Sequence, residues 1–585
     1  MFAITMQILA GHPQYVFYTA VAAIIYTGFS LSKSGNRIGL TSGFFLMYGG
    51  AIAIAAIQIL PGIQAAEESV RSDGLSFEFA STFSFPPENL MTLFIPGFFG
   101  NITDLHYWGR WYLWENSLFM SVTGFFLLVY GAIHGDKNIR RFSVSMVLML
   151  LLLALGANTP LFTILYNWIP GFNKFRGTSK FIFHASLFLA MLVAIGFDHL
   201  VKYRNVQRGT IISIMITCIF AVIAAFSIRY SIAADNSTGF WHGIIQRVFE
   251  TRQSYLPRAL HNDGFVYSAG VLASNGLFVF AGICLLLLLL FFLTRFSDKA
   301  VYAIALLAII EIFIFARSSR PTFLLSLFLS PEIKQLLTDP PDDIRMLNIR
   351  NPNIAMSAGL YDLWGYDPGV LKRYAQFMSY TQGHKPDDAT QYIEFSRFHK
   401  LYKMLRGRYI IIPDGNSTQI EEIQNVMPRL QLIQDWVVKT ERDQISAAME
   451  DAGFDPAQKV VLEAPPLPAP IKSEERGVAT VVDSSTDHLT IEAELPNPAI
   501  LLITDAYSKG WRARALSGSH QKKYDIMPAN YILRAIPLSR GYHHFRVEYL
   551  PIEFIIGKWI SIFSVIVYVC FLGWYCLKSM AFFRS

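Results

Sequence analysis

Cysteine is nearly absent from this chain of 585 residues. The four that occur, Cys218, Cys284, Cys570 and Cys576, fall in or beside apolar runs and share no metal-ligand spacing. They read as core residues, which excludes a disulfide framework and a zinc site as organising devices. Charge is scarce as well: Asp, Glu, Lys and Arg make up 16% of the residues, against 53% hydrophobic and 14% aromatic, with a mean hydropathy of +0.36. Soluble domains carry about 25% charged residues, so composition alone predicts a polytopic membrane protein. The formal net charge of +6 is a basic excess that Lys and Arg beside membrane spans explain, and it gives no reason to expect nucleic acid. Also missing are a P-loop, a glycine fingerprint after a strand, HExxH, GxSxG and paired CxxC. Their absence disfavours ATP hydrolysis, dinucleotide chemistry and zinc hydrolysis. No basic n-region or A-x-A site opens the chain, so a cleaved leader is not expected in these residues.

What the chain does have is long apolar runs. Segments suited to crossing a bilayer, about 20 residues each, fall at roughly 13 to 32, 38 to 60, 116 to 134, 142 to 158, 182 to 200, 209 to 229, 270 to 293, 300 to 316 and 553 to 577. That predicts nine spans. The short connections with Lys33 and Arg37, with Lys137, Arg140 and Arg141, with Lys202, Arg204 and Arg208, and with Arg295 and Lys299, together with the tail carrying Lys578 and Arg584, all fall on one side. The positive-inside rule makes that side cytoplasmic, so segments 61 to 115, 230 to 269 and 317 to 552 are expected outside. The expected organisation is a multispan membrane domain at 1–316, an extracytoplasmic α/β region at 317–470, a β-sandwich at 471–552, and a last span with a short cytoplasmic tail at 553–585. Helical and strand patterns alternate in SPEIKQLLTD, RYIIIPDG and DQISAAMEDAG. The Pro-rich EAPPLPAPIKSEE then breaks the pattern, and short β-branched segments such as VATVVD, LTIEAEL and AILLITDAY follow.

Several residues could carry chemistry. The loop around FASTFSFPPENL and YWGRWYLWEN interleaves aromatics with polar and acidic groups, a content that suits stacking on sugar rings and equally an aromatic belt at the headgroups. This holds for Trp108, Trp111 and Trp114 alike. Glu78, between Phe77 and Phe79, and Glu115, after Trp114, are either acid–base groups in apolar surroundings or solvated loop acids. His12 and Gln14 sit near the end of a span, where His12 is a proton acceptor or a hydrogen-bonding partner of a neighbouring loop. Glu311 and Asp198 lie within apolar runs and need a partner or the interface, with His184 a weaker case. The loop PGFNKFRGTSKF carries Lys174, Arg176 and Lys180 and no acid, on the face where cations are not expected. Those cations suit either a lipid-linked phosphate or anionic headgroups.

Taken in order, AGHPQYVFYT, LSFEFASTFSFPPENLMTLFIPGFFG with YWGRWYLWE, FRGTSKFIF leading into GFDHL, YDLWGYDP, and YSKGWRAR with MPANYILRAIPLSRGYHHFRVEYLP before a last span resemble the YfhO family of bacterial membrane proteins over nearly the whole chain. The resemblance implies a GT-C-like architecture and transfer of a sugar from a polyprenyl-phosphate donor to a cell-envelope acceptor at the outer face of the cytoplasmic membrane. It implies Arg176 and Lys180 at the lipid phosphate, with Lys174 a headgroup anchor. Glu78, Glu115 and His12 become catalytic candidates, and Trp108 and Tyr112 sugar contacts. Asp362, Tyr366, Asp367, Trp511, Asn530 and Arg534 would recognise an envelope polysaccharide or teichoic-acid-like acceptor, although Trp511 reads equally as sandwich core. No cofactor is identified, and a divalent metal is open without any ligand spacing to support it. Family members usually begin with further spans and an outer acidic loop, so Met1 to Ala10 is expected to be part of a longer span with the catalytic acid upstream. They also tend to have FRxPxRF where this chain has FRGTSKF, which keeps the charge at Lys180 and loses a bidentate fork. Competing expectations are a transporter or flippase of lipid-linked sugars, with Glu311 and Asp198 as coupling groups, and a non-catalytic glycan-binding scaffold.

Overall fold

A computed structural model describes residues 1–101, 103–204, 206–233, 239–322, 324, 343–349, 352–357, 359–414 and 417–584. SPEIKQLLTD lies outside the described residues. The chain divides into two compact units, one of Ala10–Met47 and Gly74–Thr322, the other of Met1–Leu9, Tyr48–Asp73 and Phe323–Ser585. Among the described residues seven helices are long and apolar enough to cross a membrane: Pro13–Leu31, Arg37–Ile54, Thr178–Tyr203, Arg208–Ala233, Asp263–Leu293, Asp298–Ser318 and Ile552–Lys578. The protein is therefore a polytopic helical membrane protein.

Two of the nine expected spans do not reach that standard. Val122–His134 is apolar but has 13 residues, about 20 Å at 1.5 Å per residue. Lys137–Ala154 has 18, but Lys137, Arg140 and Arg141 fall among its first five residues. The expected span at 38 to 60 breaks at Ala55, and a second helix, Ala56–Glu67, begins there with Pro61 inside it.

The helical unit is held by small residues. Helices Val122–His134 and Phe181–Tyr203 cross at Gly131 and Gly196, where a Cβ on Gly196 would stand 2.0 Å from the Leu127 carbonyl oxygen and one on Gly131 2.1 Å from that of Leu192. Only glycine permits so close an approach, the device that packs helices in lipid, where apolar burial drives little. Arg208–Ala233 and Asp263–Leu293 meet along Ile214, Cys218, Ala221, Ala225 and Ile228 on one side and Ala269, Ala273, Leu277 and Cys284 on the other. On the first helix the steps alternate four and three, the spacing of a heptad seam. Cys218 and Cys284 are core residues within it. Glu311 is buried and accepts from the backbone N–H groups of Val122, at 2.6 Å, and Thr123, at 3.2 Å. It thereby caps the start of the helix Val122–His134, whose first N–H groups have no partner within the helix.

In the other unit, Ile552–Arg584 packs on Ala56–Glu67, with Gly557 against the Ala56 carbonyl and Ser561 Oγ accepting from Ile57 N at 2.9 Å. The segment after that helix joins the β-rich region: Val70 N donates to Val370 O and Lys372 N to Glu68 O. Three sheets follow among the described residues. A four-stranded sheet runs Tyr361–Asp362, Arg345–Asn348, Gly407–Asp414, Ser417–Glu422, its first three strands parallel. A six-stranded sheet runs Leu430–Ile433, Ala499–Ala506, Leu533–Leu538, Met527–Ala529, Lys459–Leu462, Asp435–Val438. A five-stranded antiparallel sheet runs Lys523–Tyr524, Trp511–Ala515, Gly541–Tyr549, His488–Leu495, Val478–Ser484.

The run AILLITDA explains how these layers stack. Ala499, Leu501 and Ile503 share a core with Leu489, Ile491, Phe545 and Val547 of the five-stranded sheet. Ile500 and Leu502 point the other way, into a core with Phe377 and Met378 of the helix Lys372–Thr381 and Ile445 of the helix Arg442–Glu450. A strand covered on both faces reads as continuous apolar sequence. The expected boundary between residues 470 and 471 is consequently not a boundary in the fold. Leu430–Ile433, Asp435–Val438 and Lys459–Leu462, placed in the α/β region, lie in the same sheet as Ala499–Ala506, Met527–Ala529 and Leu533–Leu538, placed in the sandwich.

Candidate functional site

The basic loop and the aromatic loop come together in the helical unit. Ser76 caps the short helix Phe77–Ser81 by accepting from Phe79 N. The turn that follows grips the basic loop, with Thr82 O accepting from Gly177 N at 2.9 Å and Phe83 O from Ser179 N at 3.1 Å. Gln14 and Tyr18 donate to the Arg176 carbonyl, so Gln14 positions this loop. Phe83, Trp111 and Ser121 adopt φ of 57°, 62° and 64°. Left-handed backbone at residues other than glycine costs about 1 kcal/mol or more each and gathers where geometry is imposed for function.

Two features result. The first is an ion pair: Lys180 Nζ lies 2.7 Å from Glu115 Oε1, the side chains 11% and 19% exposed. Glu115 Oε2 is buried and has no hydrogen-bond partner among the described residues, and Ser117 Oγ is in the same condition. Gly177, at φ 80°, lies over the pair; a Cβ there would stand 3.0 Å from Lys180 Nζ and 3.6 Å from Glu115 Oε2. Glu115, Ser117 and Lys180 line a cavity of about 420 Å³ whose walls also include Trp114, Leu118, Phe119, Phe183 and Phe315.

The second feature is a ladder of rings. The Arg176 guanidinium lies 4.7 Å from the centre of Phe79 and 4.8 Å from that of Phe83. Phe83 stacks on Tyr112 at 5.0 Å, and Tyr112 stacks on Tyr255 and on Trp114, at 4.7 Å in each case. Tyr112 is thus sandwiched, while Trp114, 67% exposed, is the ring that borders the cavity.

Several expected roles change accordingly. Trp108 is 3% exposed and packed among Phe98, Phe99 and Trp241, so it has no open face for a sugar. Tyr112 supports Trp114. Glu78 and His12 are exposed, with the His12 ring against Tyr15, and neither lines the cavity. Lys180 has its charge matched by Glu115. Glu311 caps a helix, and Asp198 pairs with Lys202 at 2.6 Å on the surface, so both acids named as coupling groups are engaged in local structure. His184 Nε2 lies 3.0 Å from Thr19 Oγ1 and ties two helices.

The six acceptor-binding expectations fall in the other unit. Asn530 is fully buried and exchanges hydrogen bonds with the backbone of Val461. Arg534 is buried, donates to Ala506 O and lies 3.6 Å over the Trp511 ring. These three lock strands together and present little to a polymer. Asp362 accepts from Ala355 N while burial pushes its carboxyl up to about 6. Tyr366 and Asp367 are exposed, Tyr366 beside Tyr392.

One interaction went unforeseen. Arg110 forks onto Glu88 at 2.7 and 2.8 Å and reaches Gln253 at 3.1 Å, clamping the aromatic loop to the segment that supplies Tyr255. The only sequence signal is an acid and a base of one loop 22 positions apart. Among the described residues no group of His, Cys, Asp and Glu is arranged to hold a metal ion.

Fold and composition define the class: a polytopic helical membrane protein with a separate β-rich region. Comparison of the chain with family models, with curated proteins and with solved structures gives no match.

Proposed function

We propose that the protein is a membrane glycosyltransferase of the GT-C-like kind suggested by the YfhO resemblance, working at the outer face of the cytoplasmic membrane with its β-rich region outside the cell. The observation that carries this reading is the Glu115–Lys180 pair, two residues that line a largely apolar cavity and leave one carboxylate oxygen without a partner among the described residues. Glu115 Oε2 takes the proton of an acceptor hydroxyl as that oxygen bonds to the anomeric carbon. The bond from the sugar to phosphate breaks, and its electron pair leaves on the lipid phosphate. Lys180 supplies the counter-charge beside Glu115. Arg176, stacked on Phe79 and Phe83, stabilises the charge gathering on the phosphate. Trp114 offers the sugar an apolar face. A transporter is less well supported, since Glu311 and Asp198 are both occupied.

Incorporation of labelled sugar from a polyprenyl-phosphate donor by membranes bearing the protein tests the reading. E115Q should lower transfer by about 10²–10⁴-fold, the usual worth of a positioned base. R176Q should abolish it, while K174Q, on an exposed side chain, leaves it near wild type. Undiminished transfer by E115Q, or no transfer by the wild-type chain, overturns the proposal.

A further inference from the structure

The β-rich region encloses a cluster of arginines around a single buried carboxylate. Asp505, at the end of the strand Ala499–Ala506, receives Arg345 Nη2 at 2.6 Å and Arg406 Nη2 at 2.7 Å on one oxygen, and Arg429 Nε at 3.1 Å on the other. Arg534 lies close enough to act electrostatically on the same carboxyl. Among the described residues the one further acid against these arginines is Asp343, 3.4 Å from Arg406 and 3.6 Å from Arg429. Among the described residues, four guanidinium groups and two carboxylates leave two positive charges in excess.

The excess is poorly solvated. Arg406 and Arg534 are 4% and 5% exposed. Their Nε and Nη1 atoms, respectively, are buried with no hydrogen-bond partner among the described residues. Burial and the other arginines push the Arg534 guanidinium down to about 10, far below its ordinary range. Buried donors without acceptors, on ions of one sign, are costly, and an oxyanion relieves both defects at once. Guanidinium forks match tetrahedral and carboxylate oxygens in particular. Arg345 and Arg429, at 16% and 27% exposed, are the more accessible members of the cluster.

We infer that Arg345, Arg406, Arg429 and Arg534 form a binding site for a phosphate group, with Asp505 as the fixed counter-charge that holds the four guanidinium groups in register. The phosphate is either a free ion or a monoester. The site lies within the β-rich unit and is independent of Glu115 and Lys180.

The test is thermal unfolding of the purified full-length protein in detergent, at constant ionic strength, with chloride replaced stepwise by inorganic phosphate or by glycerol 3-phosphate. A saturable rise of about 3 °C in the Tm of the β-rich unit is expected with phosphate. The same rise with glycerol 3-phosphate identifies a monoester site, and a rise with inorganic phosphate alone a free-ion site. R429Q, a change at the most exposed of the four, should lose most of the increment. D505N should lower the starting Tm yet enlarge the increment, because the competing carboxylate charge is gone; a merely structural role for Asp505 predicts only the first effect. No shift beyond that in chloride, or an equal shift in R429Q, overturns the inference.

Discussion

Removing Lys180 should harm the helical unit more than neutralising Glu115 does, and losing both should do less harm than losing Lys180 alone. The asymmetry follows from the pair's surroundings. With Lys180→Met, Glu115 Oε1 loses its partner, and Oε2 has none among the described residues at the outset, so the buried carboxyl is left with no polar contact. With Glu115→Gln, Lys180 keeps an amide oxygen to donate to. Breaking a fully buried pair from one side costs about 3–5 kcal/mol, and exposed pairs are worth about 0–1 kcal/mol. Side chains 11% and 19% exposed sit nearer the first limit, so K180M should cost about 2–3 kcal/mol and E115Q about 1 kcal/mol. The double variant should recover about 1–2 kcal/mol relative to additivity. Thermal unfolding of the four proteins in one detergent gives the cycle, with K180M expected to fall by about 5 °C or more. If K180M is no worse than E115Q, or if the two changes add, the pair is not the buried unit on which the proposed base depends.

Three further outcomes follow from the same geometry. Gly196→Ala puts a Cβ 2.0 Å from backbone oxygen, so helices Val122–His134 and Phe181–Tyr203 must separate. A loss of about 1–3 kcal/mol should be visible as a lower Tm, whereas Gly282→Ala, with nothing within 4 Å, should be silent. Glu311→Leu leaves Val122 N and Thr123 N without their acceptor in a buried place and should destabilise by about 2–4 kcal/mol. Glu311→Gln, which keeps one acceptor, should recover part of that loss in the same melts. Asp362 binds its proton more tightly folded, near 6, than unfolded, near 3.9. Its protonated form therefore stabilises fully below about pH 4, and that stability is lost as pH rises through about 6. D362N should raise Tm at pH 7.5 and leave it unchanged at pH 4; a gain at both values would remove the carboxyl as its cause.

The apolar runs made most of the membrane architecture legible, because length and hydropathy are properties of contiguous residues. Val122–His134 and Lys137–Ala154 fell short for local reasons, thirteen residues in one and three cations among the first five residues of the other. Strand content was legible too: VATVVD, LTIEAEL and AILLITDAY became Val478–Ser484, His488–Leu495 and Ala499–Ala506. Pairing was not, since nothing local tells Leu430–Ile433 that its neighbour begins at Ala499. The site shows the same division. Glu115 stood out as an acid in apolar surroundings and Lys180 as a cation on the face where none is expected, and they meet; Arg176 stood out with Lys180 and lies instead on the rings of Phe79 and Phe83. Which of Trp108 and Trp114 would be open could not be read, because three tryptophans in one loop look alike until Phe98, Phe99 and Trp241 close around the first.

The sheet shared across residue 470 also sets a timetable. As the chain emerges from the ribosome, Leu430–Ile433, Asp435–Val438 and Lys459–Leu462 appear well before Ala499–Ala506, Met527–Ala529 and Leu533–Leu538, the strands that complete their sheet. Until residue 538 is out, apolar strands wait with open edges, the condition in which chains pair with the wrong neighbour. Closure then depends on contacts distant in sequence, which form slowly. A stop or cleavage near residue 470 would release two halves of a sheet, each exposing the edge meant for the other. The region is therefore made whole or not at all, and its yield in any host should depend on the last strands arriving before the first ones aggregate.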